Sequence, residues 1–259
     1  MRDILAAMTP PTPFSNVLVG VAFAVCWIGY EPAMRLFQQR RRSINQDLDQ
    51  VRAAWMRRML QREIRIMDSN LIGHVLNSAS FFASTSLLII AAAAGLLFGG
   101  ADTMASLRQV SILEPAPDWL LELKIALVVV VLASGLLDLI WAIRQLNYCV
   151  ALVGAAPERE AGAELDRYCV AVAGVMNPAM ASFNRGVRAY YFALAAAAWL
   201  ISSWAMLLGA AAAVLLLMYR QGFSPAAAAA ARARLILEGQ DAGAAQQSAL
   251  AGRPGAGDM

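Results

Sequence analysis

The chain of 259 residues has little with which to hold a cofactor or start a reaction. His74 is its one histidine, and Cys26, Cys149 and Cys169 lack paired spacing, which excludes a zinc site and a haem held by two histidines. No G-x-G-x-x-G, Walker loop or G-x-S-x-G run occurs, so dinucleotide, nucleotide and nucleophile-elbow chemistry has no signature here. An enzyme would have to work with Asp138, His74 or Cys149. We expect no enzyme, no cofactor and no metal. Charge is scarce too: 15% of residues are charged against 59% hydrophobic, and a mean hydropathy of +0.55 is too apolar for an ordinary soluble domain.

What the chain does hold is long apolar stretches, at Phe14 to Tyr30, Ser78 to Phe98, Ile125 to Ile143 and Ala189 to Tyr219. Each meets the demand of about 20 apolar residues for one helical crossing of a bilayer. The fold expected is therefore all-α, a polytopic membrane bundle with four transmembrane helices over residues 1–224, followed by a short helix and a disordered tail over 225–259. The formal charge of +3 and a pI near 9.0 would hint at nucleic acid in a soluble protein. Here the arginines border apolar spans, so they read as topology determinants and no nucleic-acid partner is expected. The first and third connections are arginine-rich, whereas the second offers only Arg108 against Asp102, Glu114 and Asp118. Lys and Arg favour the cytoplasmic side, which predicts N-out and C-out in a bacterial cytoplasmic membrane, against the dissent of Arg220, Arg232 and Arg234 after the fourth span. The first span keeps its arginines behind it, unlike a secretory signal, and reads as a retained reverse anchor.

Between the first two spans, Ile44, Leu48, Val51, Trp55, Met59 and Ile66 recur at mostly three- and four-residue steps. That periodicity predicts an amphipathic cytoplasmic helix over about 44–67, with Arg52, Arg57, Arg58, Arg62 and Arg65 on its other face. Two placements satisfy it: flat in the headgroup layer with arginines on anionic lipid, or as an extension of the second span packed on the fourth.

Several separated blocks then carry a resemblance. Trp55-Met56, Arg62-Glu63, Arg65 and Asp68, the run Asn77 to Ser86, Arg144-Gln145-Leu146-Asn147-Tyr148, and Asn184 to Phe192 occur in order. Over roughly Phe14 to Ser224 the chain resembles the DUF599 family. The resemblance implies a four-span membrane protein and brings no assigned activity, so no functional residue transfers. Asp138 departs from the apolar or aromatic pattern of its stretch.

The polar groups in expensive places are the candidate site. Asp138 lies inside the third span, about 9 Å of helix rise before Arg144, where an unpaired carboxylate costs about 2.5–3.5 kcal/mol on insertion scales. Arg188 is the expected partner, with Asn77 or Ser80 as a hydrogen-bonding alternative. Asn77, Ser80 and Ser84 share a face of the second span, either lining a wet cavity or merely packing, and Ala91, Gly95 and Gly99 repeat a small-xxx-small spacing. Arg144, Asn147, Asn184, Arg185 and Arg188 would form a basic, aromatic-rich rim at the cytoplasmic face, suited to anionic headgroups, an anionic solute or a partner's acidic segment, or serving only as boundary anchors. Function stays open between classes. A non-enzymatic accessory or assembly subunit, packing with itself or a larger membrane complex, is the leading expectation; an oligomeric channel or small transporter with Asp138 in its path is the alternative.

Overall fold

The computed structural model describes residues 13–40, 42–157 and 163–251, with side chains for 16–40, 42–157 and 164–240. Among them the chain is helical with no strand: α1 Pro13–Arg40, α2 Ile44–Leu60, α3 Ile66–Phe98, α4 Gly100–Arg108, α5 Asp118–Gly154, α6 Ala163–Ala197, a 3₁₀ turn Ala198–Leu200, α7 Ser203–Gly222 and α8 Pro225–Ala251. Four helical segments, Asn16–Arg40, Ile66–Phe98, Asp118–Gly154 and Ser203–Gln240, are long and apolar enough to cross a membrane.

Local chemistry explains where the helices start and stop. Gln46 Oε1 accepts from the Ser43 backbone N–H at 3.1 Å, so the exposed amide ahead of α2 is satisfied by a side chain three residues on. Gly100, at φ +80°, supplies the left-handed step between α3 and α4 that other residues resist. Ser224 Oγ accepts from Ala227 N at 3.1 Å, with Pro225 at the first helical position of α8.

Several boundaries differ from the sequence expectation, and the first and third helices run longer than expected, over Pro13–Arg40 and Asp118–Gly154. The apolar run 189–219 is not one span, because Ser202 turns extended and its hydroxyl accepts from Ala205 N at 3.0 Å, capping a new helix, α7. The helix expected over 44–67 stops at Leu60, and α3 begins at Ile66, twelve residues before the expected Ser78. Helix α8 runs on past Gly239 to Ala251, where a disordered tail was expected. The acidic residues Glu158 and Glu160 lie outside the described residues.

Helices α5 and α6 are antiparallel and form the backbone of the bundle. A Cβ added at Gly135 would lie 2.4 Å from Ala189 Cβ, and one at Gly186 would lie 2.5 Å from Leu139 Cγ. Only glycine at both positions lets the two backbones approach this closely, a packing that van der Waals contact stabilises without help from water. Around this seam, α1 and α7 run parallel to each other, tied by Ser203 to Asn16 at their starts and Gly222 against Phe37 at their ends. The main core joins Phe23, Tyr30, Phe192, Trp199 and Met206. A second cluster joins Met56, Met59 and Leu60 of α2 to Cys149, Cys169 and Met176, so the apolar stripe of α2 is covered by protein. Pro178 falls where α6 passes from the second cluster towards the first and removes one helix hydrogen bond there. The small residues Ala91 and Gly95 of α3, and Gly99 just after it, face outward instead of packing inside.

Helices α1, α3, α5, α6 and α7 thus alternate in direction along the bundle. The start of α1 lies at one end of the bundle, and α8 packs against α2 at the other, through Arg234 Nε to Asp47 Oδ1 at 2.8 Å.

Candidate functional site

At the end where α1 begins, polar groups are spent on one another. Lys124, with its side chain 1% exposed, donates from Nζ to Glu114 Oε2 at 2.8 Å and sits 5.6 Å from the centre of the Trp199 ring. Glu114 N donates to Leu200 O at 2.9 Å, holding the loop before α5 onto the 3₁₀ turn. Ser203 Oγ donates to Asn16 Oδ1 at 3.1 Å. A buried ammonium survives only with such partners, because desolvation of a lone charge is far costlier than its pairing.

The opposite, basic end holds the residues singled out from sequence, in a different arrangement. Asp138 Oδ1 accepts from Arg185 Nε at 2.9 Å, not from Arg188. The glycine contact sets the register of the α5–α6 seam, bringing Arg185 across from Asp138; three residues on, Arg188 is about 4.5 Å further along and turned by about 60°. There it donates to Glu31 Oε2 at 3.1 Å and lies 4.8 Å from the centre of the Tyr30 ring. Arg185 Nη2 also donates to Ser182 Oγ at 2.9 Å, and Gln145 Nε2 donates to the same hydroxyl at 3.3 Å. Asp138 is therefore part of a half-exposed interhelical ion pair.

The other expectations separate. Asn77 and Ser84 are exposed and Ser80 is half-buried; the buried hydroxyl of α3 is Ser86, bonded to Tyr190 OH at 2.8 Å. Asn147 is exposed, and exposed Arg144 donates only to Tyr148 OH, one turn along its own helix. The expected rim thus does not form as a unit. Asn184 does join a cluster: its Nδ2 donates to Asn45 Oδ1, and Asn45 Nδ2 donates to Gln221 Oε1, each at 3.1 Å. This chain of amides ties α6 to α2 and α7, and beside it opens a cavity of about 590 Å³. Arg52, Arg188 and Arg220 enter its wall from three different helices.

Sequence reasoning assigned Arg52 and Arg220 to topology and passed over Glu31 and Lys124. Lys124 left a signal, being the only lysine and standing one residue before an apolar run. Arg52 and Arg220 left none, because their meeting depends on how α2 folds back against α6 and α7. Of the other groups an enzyme would have to use, His74 is exposed on α3 and Cys149 lies in the second cluster. Cys149 and Cys169 are both buried there, and burial, with the Asp166 charge adding and Arg57 opposing, raises the Cys169 thiol above its usual range, away from the reactive thiolate. Among the described residues no group of three metal-ligating side chains converges.

No curated protein and no solved structure matches the chain significantly. The family model described as "Protein of unknown function, DUF599" matches residues 17–226. That stretch holds α2 to α7 whole, the Lys124–Glu114 and Asp138–Arg185 pairs and the arginine-lined cavity, and on it the chain belongs to the DUF599 family.

Proposed function

We propose that the protein is a non-enzymatic integral membrane protein, an accessory or assembly subunit that packs with itself or with a larger membrane complex. The observation that carries this reading is the exposure of α3. Only 6% of its most apolar window is buried, and a Cβ at Gly95 would meet nothing within 4 Å. Apolar surface is at ease against lipid, but small residues on an outer face also let a second helix approach closely.

The membrane frame proposed with it rests on two belts and a charge bias. Exposed Trp119 and Trp204 mark one boundary, and exposed Trp141, Tyr148 and Tyr219 mark the other, as interfacial aromatics do. Arginine is concentrated at the end that carries α2 and α8, which under the positive-inside rule faces the cytoplasm. Five helices then cross, with the start of α1 outside and α8 inside, and anionic headgroups meet the arginines of the basic end. A bacterial cytoplasmic membrane is the setting for this orientation.

An oligomeric channel or small transporter is the second reading, and the arginine-lined cavity is the observation on its side. Against it, Asp138 and Lys124, the charges that would stand in a path, are each held in an ion pair. A cysteine at Gly95, in a chain without the native cysteines, tests the first reading. In native membranes oxidant should give disulfide-linked dimers, or a larger complex should co-purify with the chain. A monomer that neither cross-links nor brings down a partner, yet moves protons or a small ion in liposomes, would replace the accessory role with transport.

A further inference from the structure

We infer that the cavity between α2, α6, α7 and α8 is a binding site for a phosphate-bearing anion of low charge, the chemistry shared by a phospholipid headgroup and a soluble phosphate ester. The inference goes beyond the accessory role proposed above and uses the membrane frame only for the lipid source.

The donors come first. A guanidinium carries five N–H groups and accepts no hydrogen bond. Arg220 spends one on Tyr191 OH at 2.6 Å, Arg188 one on Glu31, and Arg52 uses Nε on Asn177 Oδ1 at 2.8 Å and Nη2 on Asp49. Most of their donors therefore remain free. None of the residues lining the cavity is acidic; Glu31 and Asp49 hold Arg188 and Arg52 from outside its wall. Three cations with two carboxylates behind them leave one net positive charge, which matches a phosphodiester better than a doubly charged anion. Arginine's planar fork suits phosphate oxygens, and arginines converging from three helices repel one another until an anion lies between them.

The surroundings agree. Ser224 and Ala226 bring the start of α8 to the wall, the helix end that favours negative charge. Leu48, Met180, Val187 and Leu217 give the same cavity an apolar side, so a headgroup could bind with the first part of its chain against protein. The volume, about 590 Å³, falls within the roughly 300–1,000 Å³ of ligand pockets in general.

The test uses the purified full chain in mild detergent, observed by native mass spectrometry with phosphatidylglycerol and phosphatidylcholine as probes. The wild type should retain phosphatidylglycerol preferentially. Arg220→Gln and Arg52→Gln should each weaken that retention by roughly tenfold or more, the scale of one lost charge-assisted hydrogen bond. Arg220→Lys should fall between, since it keeps the charge and loses the fork. Arg35→Gln, an exposed arginine outside the cavity, should leave retention unchanged. Arg220 is exposed and its one described side-chain bond is to Tyr191, so its variants should keep the wild-type melting temperature. Displacement by millimolar glycerophosphoglycerol, a soluble phosphodiester with the same headgroup chemistry, assigns a soluble source, whereas phosphatidylglycerol retained against it assigns the lipid. Equal retention of phosphatidylcholine, or an Arg35→Gln loss as large as that of Arg220→Gln, overturns the site. The Gly95 cross-link is read separately, so failure here and failure of the accessory role are distinguishable.

Discussion

The two ends of the bundle treat charge in opposite ways. Where α1 begins, one lysine is buried completely and its neighbours are closed around it: Glu114, the Trp199 ring, and the Asn16–Ser203 bond beside them. At the other end, three arginines come together with most of their donors unspent and a cavity open between them. Charge is present at both. What separates a strut from a site is whether the partners are used up, and by that measure the basic end keeps many free donors, whereas the Lys124 end leaves the buried Trp199 Nε1 without a partner beside a mostly apolar cavity.

The largest effect expected from this comparison is all-or-none and concerns which side of the membrane each end faces. Single cysteines at Ser106 and Gly239, both exposed, in a chain lacking the native cysteines, should differ completely. Ser106→Cys should react with an impermeant thiol reagent in intact cells, and Gly239→Cys only after permeabilisation. Reaction at both positions would restore four crossings with both ends outside and would undo the direction of α7.

Next in size is the closed end itself. Removing one partner from a buried pair strands the other, typically at about 3–5 kcal/mol. Lys124→Met should approach the lower figure, because Glu114 keeps some exposure, 17% for its side chain, through which water can reach it. Lys124→Met combined with Glu114→Gln should recover part of the loss, measured by thermal unfolding in detergent. At the open end, Arg220→Gln should cost less than about 1 kcal/mol, as exposed charges do. Equal losses at the two ends would erase the distinction between strut and site.

The apolar runs were legible because a bilayer sets a length and a composition that a sequence displays directly. The turn at 198–202 was less so. At 31 residues the run 189–219 would make about 46 Å of helix, longer than a bilayer core of about 30 Å requires. That excess, with Trp199 and Trp204 beside Ser202, was the available sign of a hairpin. Serine is tolerated inside membrane helices, so Ser202 alone did not declare itself a cap. The partner of the small-residue face of α3 was hidden for a related reason: small and hydroxyl residues suit packing, but nothing in their spacing says which neighbour packs, and within the chain α5 takes the opposite face. The cavity was legible only in part: Asn184 and Arg188 stood out as basic-rim residues, but Asn45, Asn184 and Gln221 meet only when residues 176 and 139 positions apart are folded together.

The smallest effect bears on the middle of the basic end, where Asp138 and Arg185 form a strut, yet remain accessible, each side chain 31% exposed. The pair resembles the lysine pair in kind and the arginine cavity in exposure, so its energy should fall between nothing and the buried value. Partial exposure screens the attraction, and Ser182 holds Arg185 when the carboxylate is removed. A double-mutant cycle of Asp138→Asn and Arg185→Gln should therefore give a coupling of about 0.5–1 kcal/mol, the range of exposed ion pairs and of interhelical polar contacts in membranes. The same cycle with Arg188→Gln should give none within error, because Arg188 is engaged with Glu31 and Tyr30. Coupling to Arg188 in place of Arg185 would mean that the α5–α6 seam is shifted in register. Since Gly135 and Gly186 fix that register by contact, a shift would also remove the reason both must be glycine, and Gly186→Ala should then be tolerated.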